Sequence, residues 1–169
     1  PGIAHFPDFT HPNVTRYWTE QISNFVNATK IDGLWIDMNE PSNFCDGECG
    51  KEPNRNSINF PGYKINNGNE SPLHSKTIPM DSVQFAGLHY NLHNLYGHTH
   101  GIETFRALQS MSNKRPFVLS RSTFPSSGRF VAHWTGDNLS TFDQMKTSIA
   151  SIFNFQMFGI PMTGSDICG

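Results

Sequence analysis

The stretch Gly33-Leu34-Trp35-Ile36-Asp37-Met38-Asn39-Glu40-Pro41-Ser42 starts as a short apolar run without helical period and then turns polar. Such a run is expected to form a buried strand, which places Asp37 at the strand's C-terminal end. Upstream, apolar residues recur at Tyr17, Trp18, Ile22, Phe25 and Val26 from Val14 onwards. This three-and-four spacing predicts one face of a helix, behind a start signal at Thr10, Pro12 and Asn13. Downstream, a second helix is predicted over 81–96, capped by Asp81 and carrying Leu88, Leu92, Leu95 and Tyr96 on one face. Short apolar runs at 116–121 and 130–134 read as further strands. A last helix starts at Ser140, with Asp143 in capping-box position and Phe142, Met145, Ile149, Ile152 and Phe153 as its buried face; it ends at Gly159, and 160–166 forms the final strand.

Strands that alternate with helices argue for a parallel sheet, because parallel neighbours need a crossover and a helix usually supplies it. The class is α/β. Polar, glycine-containing segments follow the strands, so the chemically rich residues gather at strand C-terminal ends, where a (β/α)8 barrel carries its active site. No Gly-x-Gly-x-x-Gly turn follows any of these strands, which argues against a dinucleotide fold. Only four or five strands can be counted where a closed barrel needs eight. Residues 1–169 are therefore expected to be one segment of a single (β/α)8 domain, its middle-to-late strands, which needs the rest of the same polypeptide to close. The long polar stretch 45–79 reads as a loop insertion over the site.

Composition narrows the function classes. A hydrophobic share of 36% suffices for a core, and a net charge of −2 with 15% charged residues provides no basic stripe for nucleic acid. The most apolar stretch, 149–162, is interrupted by Ser151, Asn154, Gln156 and Gly159, so no membrane segment is expected. Of three cysteines, Cys45 and Cys49 lie close together and either close a local link or remain two thiols. Glycosylation acceptor patterns at Asn13, Asn27, Asn69 and Asn138 suggest the secretory pathway, lysosomal or extracellular.

Asp37 and Asp137 are the carboxylates that stand out. Asp137 lies one hundred residues after Asp37 and ends the segment His133-Trp134-Thr135-Gly136-Asp137, following a separate strand. Each alone could be a structural carboxylate that caps the next turn. Together, on two strand ends and each close to a tryptophan, they fit glycoside hydrolysis, in which one acid attacks or activates, the other protonates the departing oxygen, and aromatic faces stack on sugar. Metal hydrolysis needs more ligands. The histidines His89, His93, His98 and His100 lack the glutamate of a His-Glu-x-x-His motif and read as helix surface or inter-element hydrogen bonding. No metal or cofactor is expected.

The segment Trp35-Ile36-Asp37-Met38-Asn39-Glu40-Pro41-Ser42-Asn43-Phe44 resembles the nucleophile signature of glycoside hydrolase family 31. Ser120-Arg121-Ser122-Thr123-Phe124-Pro125-Ser126-Ser127-Gly128-Arg129 and His133-Trp134-Thr135-Gly136-Asp137-Asn138 resemble that family's acid/base region in the same order. Phe6-Pro7-Asp8-Phe9-Thr10, Leu92-His93-Asn94-Leu95-Tyr96-Gly97 and Gly164-Ser165-Asp166-Ile167-Cys168-Gly169 extend the likeness along nearly the whole chain. The resemblance implies a retaining α-glucosidase acting on α-glucoside oligosaccharides, with Asp37 as nucleophile, Asp137 as general acid/base, and the two carboxyl groups about 5–5.5 Å apart. It further implies that Arg121 and Asp166 bind hydroxyls of the sugar at the cleavage point. Trp35, Met38, Phe44 and Trp134 would form the apolar wall. Transglucosylation, α-xylosidase activity and glucan lysis can start from the same glycosyl-enzyme, and a non-catalytic carbohydrate-binding relative is the alternative from another class. The loop departs from the pattern of the family's animal digestive members, with Pro79 where they carry a cysteine, and this leaves substrate length open.

Overall fold

The structure, a computed structural model, describes residues 4–63, 65 and 71–169. Helix α1 (Val14–Thr29) leads through Lys30, whose left-handed backbone lets its N–H return to the Val26 carbonyl, into strand β1 (Gly33–Ile36). A two-stranded hairpin follows the long loop, β2 (Val83–Gln84) and β3 (Gly87–Leu88), and after it come α2 (His89–Leu92), a 3-10 turn (His93–Leu95) and α3 (Tyr96–Met111). The remaining elements are β4 (Phe117–Ser120), a 3-10 turn (Ser127–Arg129), β5 (Ala132–Trp134), α4 (Phe142–Met157) and β6 (Thr163–Gly164).

Strands β1, β4, β5 and β6 form one sheet in that order, and every pairing is parallel. The α/β expectation holds. Ile36 lies beside Ser120, Ser120 beside His133, and His133 beside Thr163. Because all four strands run the same way, the residues that follow these positions emerge along a single edge. Asp37 and Arg121 are therefore neighbours by register alone.

One face of this sheet is packed. Ile36, Val118 and Val131 are buried with Ile22 of α1 and Ala107 and Leu108 of α3. Phe9, Val14 and Tyr96 form a second cluster beside it, with Trp18 against them. In α3 the buried positions include Gly97 and Gly101, and a β-carbon at Gly101 would stand 2.8 Å from the Val131 side chain. Small residues here let the helix approach the sheet.

Several expectations need correction. The helix predicted over 81–96 is a hairpin, a single helical turn and a 3-10 turn, and the long helix begins only at Tyr96. Gly87, at φ 142, sits inside the expected helix, and Asp81 accepts hydrogen bonds from the Asn54 and Asn56 side-chain amides instead of capping. The buried side of α3 consists of Gly, Thr, Ala and Glu as much as of large apolar residues, so apolar periodicity could not reveal it. Strand β1 is buried on one side only: Leu34 and Ile36 meet the helices, whereas Trp35 is 58% exposed on the other face. Tyr17 and Phe25 are likewise about half exposed. Helix α4 starts at Phe142, is capped by the Thr141 hydroxyl accepting from Gln144 N–H, and has no buried residue. Phe142, Met145, Ile149, Ile152 and Phe153 are exposed because no described element lies over that face.

The loop that follows β1 is held together tightly in its described parts. Cys45 and Cys49 form a disulfide, while Cys168 is free and exposed. Asp46 accepts from Ser75 and from the Lys76 N–H; Asn59, fully buried, accepts from the Met80 N–H and donates to the Asn54 carbonyl. The acceptor pattern at Asn69 lies outside the described residues. No described helix is long and apolar enough to cross a membrane.

Candidate active site

Two strand exits turn sharply. Met38 has φ 57 just after β1, and Gly136 has φ 79 just after β5. For a non-glycine residue such as Met38 the left-handed region is disfavoured, and residues held there cluster at functional sites. Behind these turns the strand ends are locked together. Buried Asn39 donates to Ser120 Oγ at 2.9 Å and accepts from the Ser122 N–H at 2.9 Å, while Ser120 Oγ donates to the Ser122 carbonyl at 2.7 Å. The β1 and β4 exits therefore keep a fixed relative position.

Arg121 stands at the centre of the charges. Its Nε and Nη2 donate to Glu40 Oε1 and Oε2 at 2.8 and 2.7 Å, a bidentate pair. The same Nε lies 3.3 Å from Asp37 Oδ1, and Nη2 is 3.0 Å from Met38 Sδ. Asp37 Oδ1 is buried and accepts no hydrogen bond, so this close cation is its main partner. The arginine proton is held more firmly than usual, first through the Glu40 hydrogen bonds and further through the charges of Glu40, Asp37 and Asp137. Asp137 itself is exposed after the Gly136 turn, where a β-carbon on Gly136 would lie 3.5 Å from Arg121 Cδ. One guanidinium thus lies within electrostatic reach of three carboxylates.

Aromatic groups line the open face. Trp35 and Trp134 meet edge to face at 5.2 Å, and Trp134 Nε1 donates to Asp166 Oδ1 at 2.7 Å. Phe44 is 84% exposed and touches none of them through a ring contact. Of the residues expected at the site, Asp37, Met38 and Arg121 are in contact, Trp35, Trp134 and Asp166 form a second linked set, and Asp137 is tied to the first by charge. Glu40, Asn39 and Ser120 were not among the expected site residues. The signal for Glu40 was present, an acidic residue three positions after Asp37, but nothing in the sequence paired it with Arg121.

Histidines back the site. His133 is buried, shares a hydrogen bond with Thr123 Oγ1 at 3.0 Å and stacks on Phe155 at 3.9 Å; burial lowers its proton affinity to a pKa of about 4. His89 Nε2 and His93 Nδ1 are 2.8 Å apart, and burial lowers both, His89 to about 4. His98 bonds to Ser127 Oγ, whereas both ring nitrogens of His100 are buried without a hydrogen bond and its ring stacks on Phe9. These are inter-element contacts, as expected, and not helix surface.

With this geometry in view, the likeness to known proteins is specific. The family model described as the glycosyl hydrolases family 31 TIM-barrel domain matches residues 1–169. A probable alpha-glucosidase of Oryza sativa subsp. japonica is 46% identical over 171 residues, covering 100% of this chain and 19% of that protein. Alpha-xylosidase 1 of Arabidopsis thaliana is 42% identical over 192 residues, again with 100% of this chain and 21% of the relative. The crystal structure of the Tris-bound glucosidase II alpha subunit superposes with a TM-score of 0.76 at 29% identity, over 100% of this chain and 16% of that one. The chain thus spans about a fifth of the length of these two relatives. Its four parallel strands, its Asp37 exit and its match along the full length make it a member of the glycoside hydrolase family 31 TIM-barrel domain family.

Proposed function

We propose that this chain carries the reacting carboxylates of a retaining α-glucosidase that removes terminal α-linked glucose from oligosaccharides. The Asp37 carboxylate attacks the anomeric carbon and forms an ester to it, while the bond to the leaving oxygen breaks and Asp137 gives that oxygen its proton. Asp137 then takes a proton from water, whose oxygen attacks the same carbon and releases Asp37. Two inversions return the α-configuration. The observation that best supports this reading is that the β1 and β5 exits converge on Arg121, whose Nε lies 3.3 Å from Asp37 Oδ1 and whose Cδ lies 3.5 Å from the β-carbon position of Gly136, the residue before Asp137. Arg121 and Asp166 would take sugar hydroxyls, the first through the guanidinium N–H groups that Glu40 leaves free and the second as an acceptor. Trp35 and Trp134, already in contact, would provide the apolar wall, with Met38 and Phe44 at its rim.

Residues 1–169 would be one segment of a single (β/α)8 domain, with 45–79 as its loop insertion, and the bare face of α4 would be covered by the rest of that domain. The Cys45–Cys49 disulfide supports the secretory pathway, where such bonds persist. A second reading, α-xylosidase, is favoured by the Arabidopsis relative. Product analysis on the longer protein with maltose, isomaltose and a xylosyl analogue separates the two. For the nucleophile, a 5-fluoro-glucosyl inactivator should label the peptide containing Asp37, and labelling elsewhere overturns the assignment. Azide should rescue Asp137→Ala on a substrate with a good leaving group; no rescue, with Asp37 variants still active, sinks the two-carboxylate account.

A further inference from the structure

A guanidinium can bind one carboxylate through two parallel N–H bonds, and such a pair is among the strongest a protein makes. Arg121 has two candidates for that geometry. Glu40 accepts from Nε and Nη2 at 2.8 and 2.7 Å, whereas Asp37 Oδ1 lies 3.3 Å from the same Nε and accepts no hydrogen bond. Glu40 is three residues beyond Asp37, past the left-handed turn at Met38, and both carboxylates approach the same edge of the arginine fork. The other groups around Glu40 do not compete for it as cations. His93, from the 3-10 turn, and His133, from β5, both feel the Glu40 charge, but burial dominates and lowers the proton affinity of each. Asp137 faces Arg121 from the β5 exit.

We propose that Glu40 is a positioning residue: by occupying the Arg121 fork it keeps the guanidinium off Asp37, so that the nucleophile retains an uncommitted lone pair. A carboxylate held by a bidentate arginine is a poor nucleophile, because attack must first break charge-assisted hydrogen bonds. With Glu40 in place, Arg121 instead stands 3.3 Å from Asp37 Oδ1 without donating a hydrogen bond to that oxygen. This rests on the reading of Asp37 as the nucleophile, and it adds a role for a residue that need not touch substrate.

The test is a double-mutant cycle in the full-length protein, read by the rate at which the 5-fluoro-glucosyl inactivator labels Asp37. Glu40→Gln should lower the labelling rate about 10- to 100-fold, the loss expected when charge-assisted bonds must be broken first. The acidic limb of the kcat/KM profile should move to lower pH, since Arg121 now pairs with Asp37. In an Arg121→Met background the same Glu40→Gln change should cost less than about twofold, because no fork remains to collapse. Equal cost in both backgrounds overturns the proposal, and so does an unshifted profile in Glu40→Gln. Should Glu40→Gln fail to fold, Glu40→Asp, whose shorter stem holds the fork less well, should lower the labelling rate and move the acidic limb in the same direction by less; a lowered rate with an unmoved limb refutes the proposal. If the unmodified protein labels at a residue other than Asp37, it is the nucleophile assignment that has failed.

Discussion

Between β1 and β4, Ile36 and Val118 are buried against Ile22, Ala107 and Leu108, and Asn39 reaches across to Ser120; beside β5 and β6, α4 lies with none of its side chains buried. The first half buries a core within this chain on one face of its strands. The second presents Phe142, Phe153 and Met157 at 85, 67 and 84% exposure. The two proposed reacting groups divide along the same line. Asp37 is half-buried at the exit of the closed half, and Asp137 is exposed at the exit of the open one. A nucleophile needs a fixed line of attack, which the locked β1–β4 exits provide.

The largest expected effect concerns that division of labour. In the full-length protein Asp37→Ala should lower turnover by about 10⁴-fold or more, whatever the substrate. Asp137→Ala should lose far less on a substrate whose leaving group needs no proton. Similar losses for both variants on such a substrate would contradict the separation of roles.

Stability should divide in the same way. Val118 is 1% exposed in the closed half, and Val118→Ala should cost about 2–3 kcal/mol by denaturant titration of the full-length protein. Asn39→Ala, which leaves Ser120 and the Ser122 N–H without their partner, should cost about 1–3 kcal/mol. In the full-length protein Phe153→Ser should also be clearly destabilising, by denaturant titration, because the rest of the domain would cover the α4 face. A change within about 0.5 kcal/mol of zero would mean that the α4 face is a true surface, and the contrast between the halves would disappear.

The histidines sharpen the comparison further. His100 lies in the closed half with both ring nitrogens buried, and burial lowers its pKa from the ordinary 6.5 to about 4. Because the folded value is below the unfolded one, the unfolded chain binds more protons between these values. The contribution of this group to stability is full above pH 6.5 and is lost as pH falls towards 4. His100→Phe should flatten the fall in denaturation midpoint across that window. An unchanged slope would place the titration elsewhere, with His89 and His133 as the other histidines lowered to about 4.

Much of this molecule was legible from residue order because the relevant patterns are local. An apolar run ending in a carboxylate marks β1 and Asp37, a three-and-four spacing marks α1, and alternation of strand and helix implies parallel pairing. Local pattern failed where burial uses small or polar residues. Helix α3 packs through Gly97, Gly101, Thr104 and Ala107, so its buried face is nearly silent in hydropathy, while the apolar residues before it form a hairpin at Gly87. It failed again in α4, whose apolar face predicts a core that these residues do not contain.

By itself, the sequence determined the strand ends, the pair of carboxylates and the aromatic residues near them, since each is a property of a few consecutive side chains. Tertiary structure alone decided how they meet. Parallel register brings Arg121 beside Asp37 across more than eighty positions, and Glu40 takes the guanidinium that either acid could have held. Which carboxylate wins a shared cation depends on distances of a few tenths of an ångström. Those are set by the packed sheet and its locked exits, and no stretch of consecutive residues encodes them.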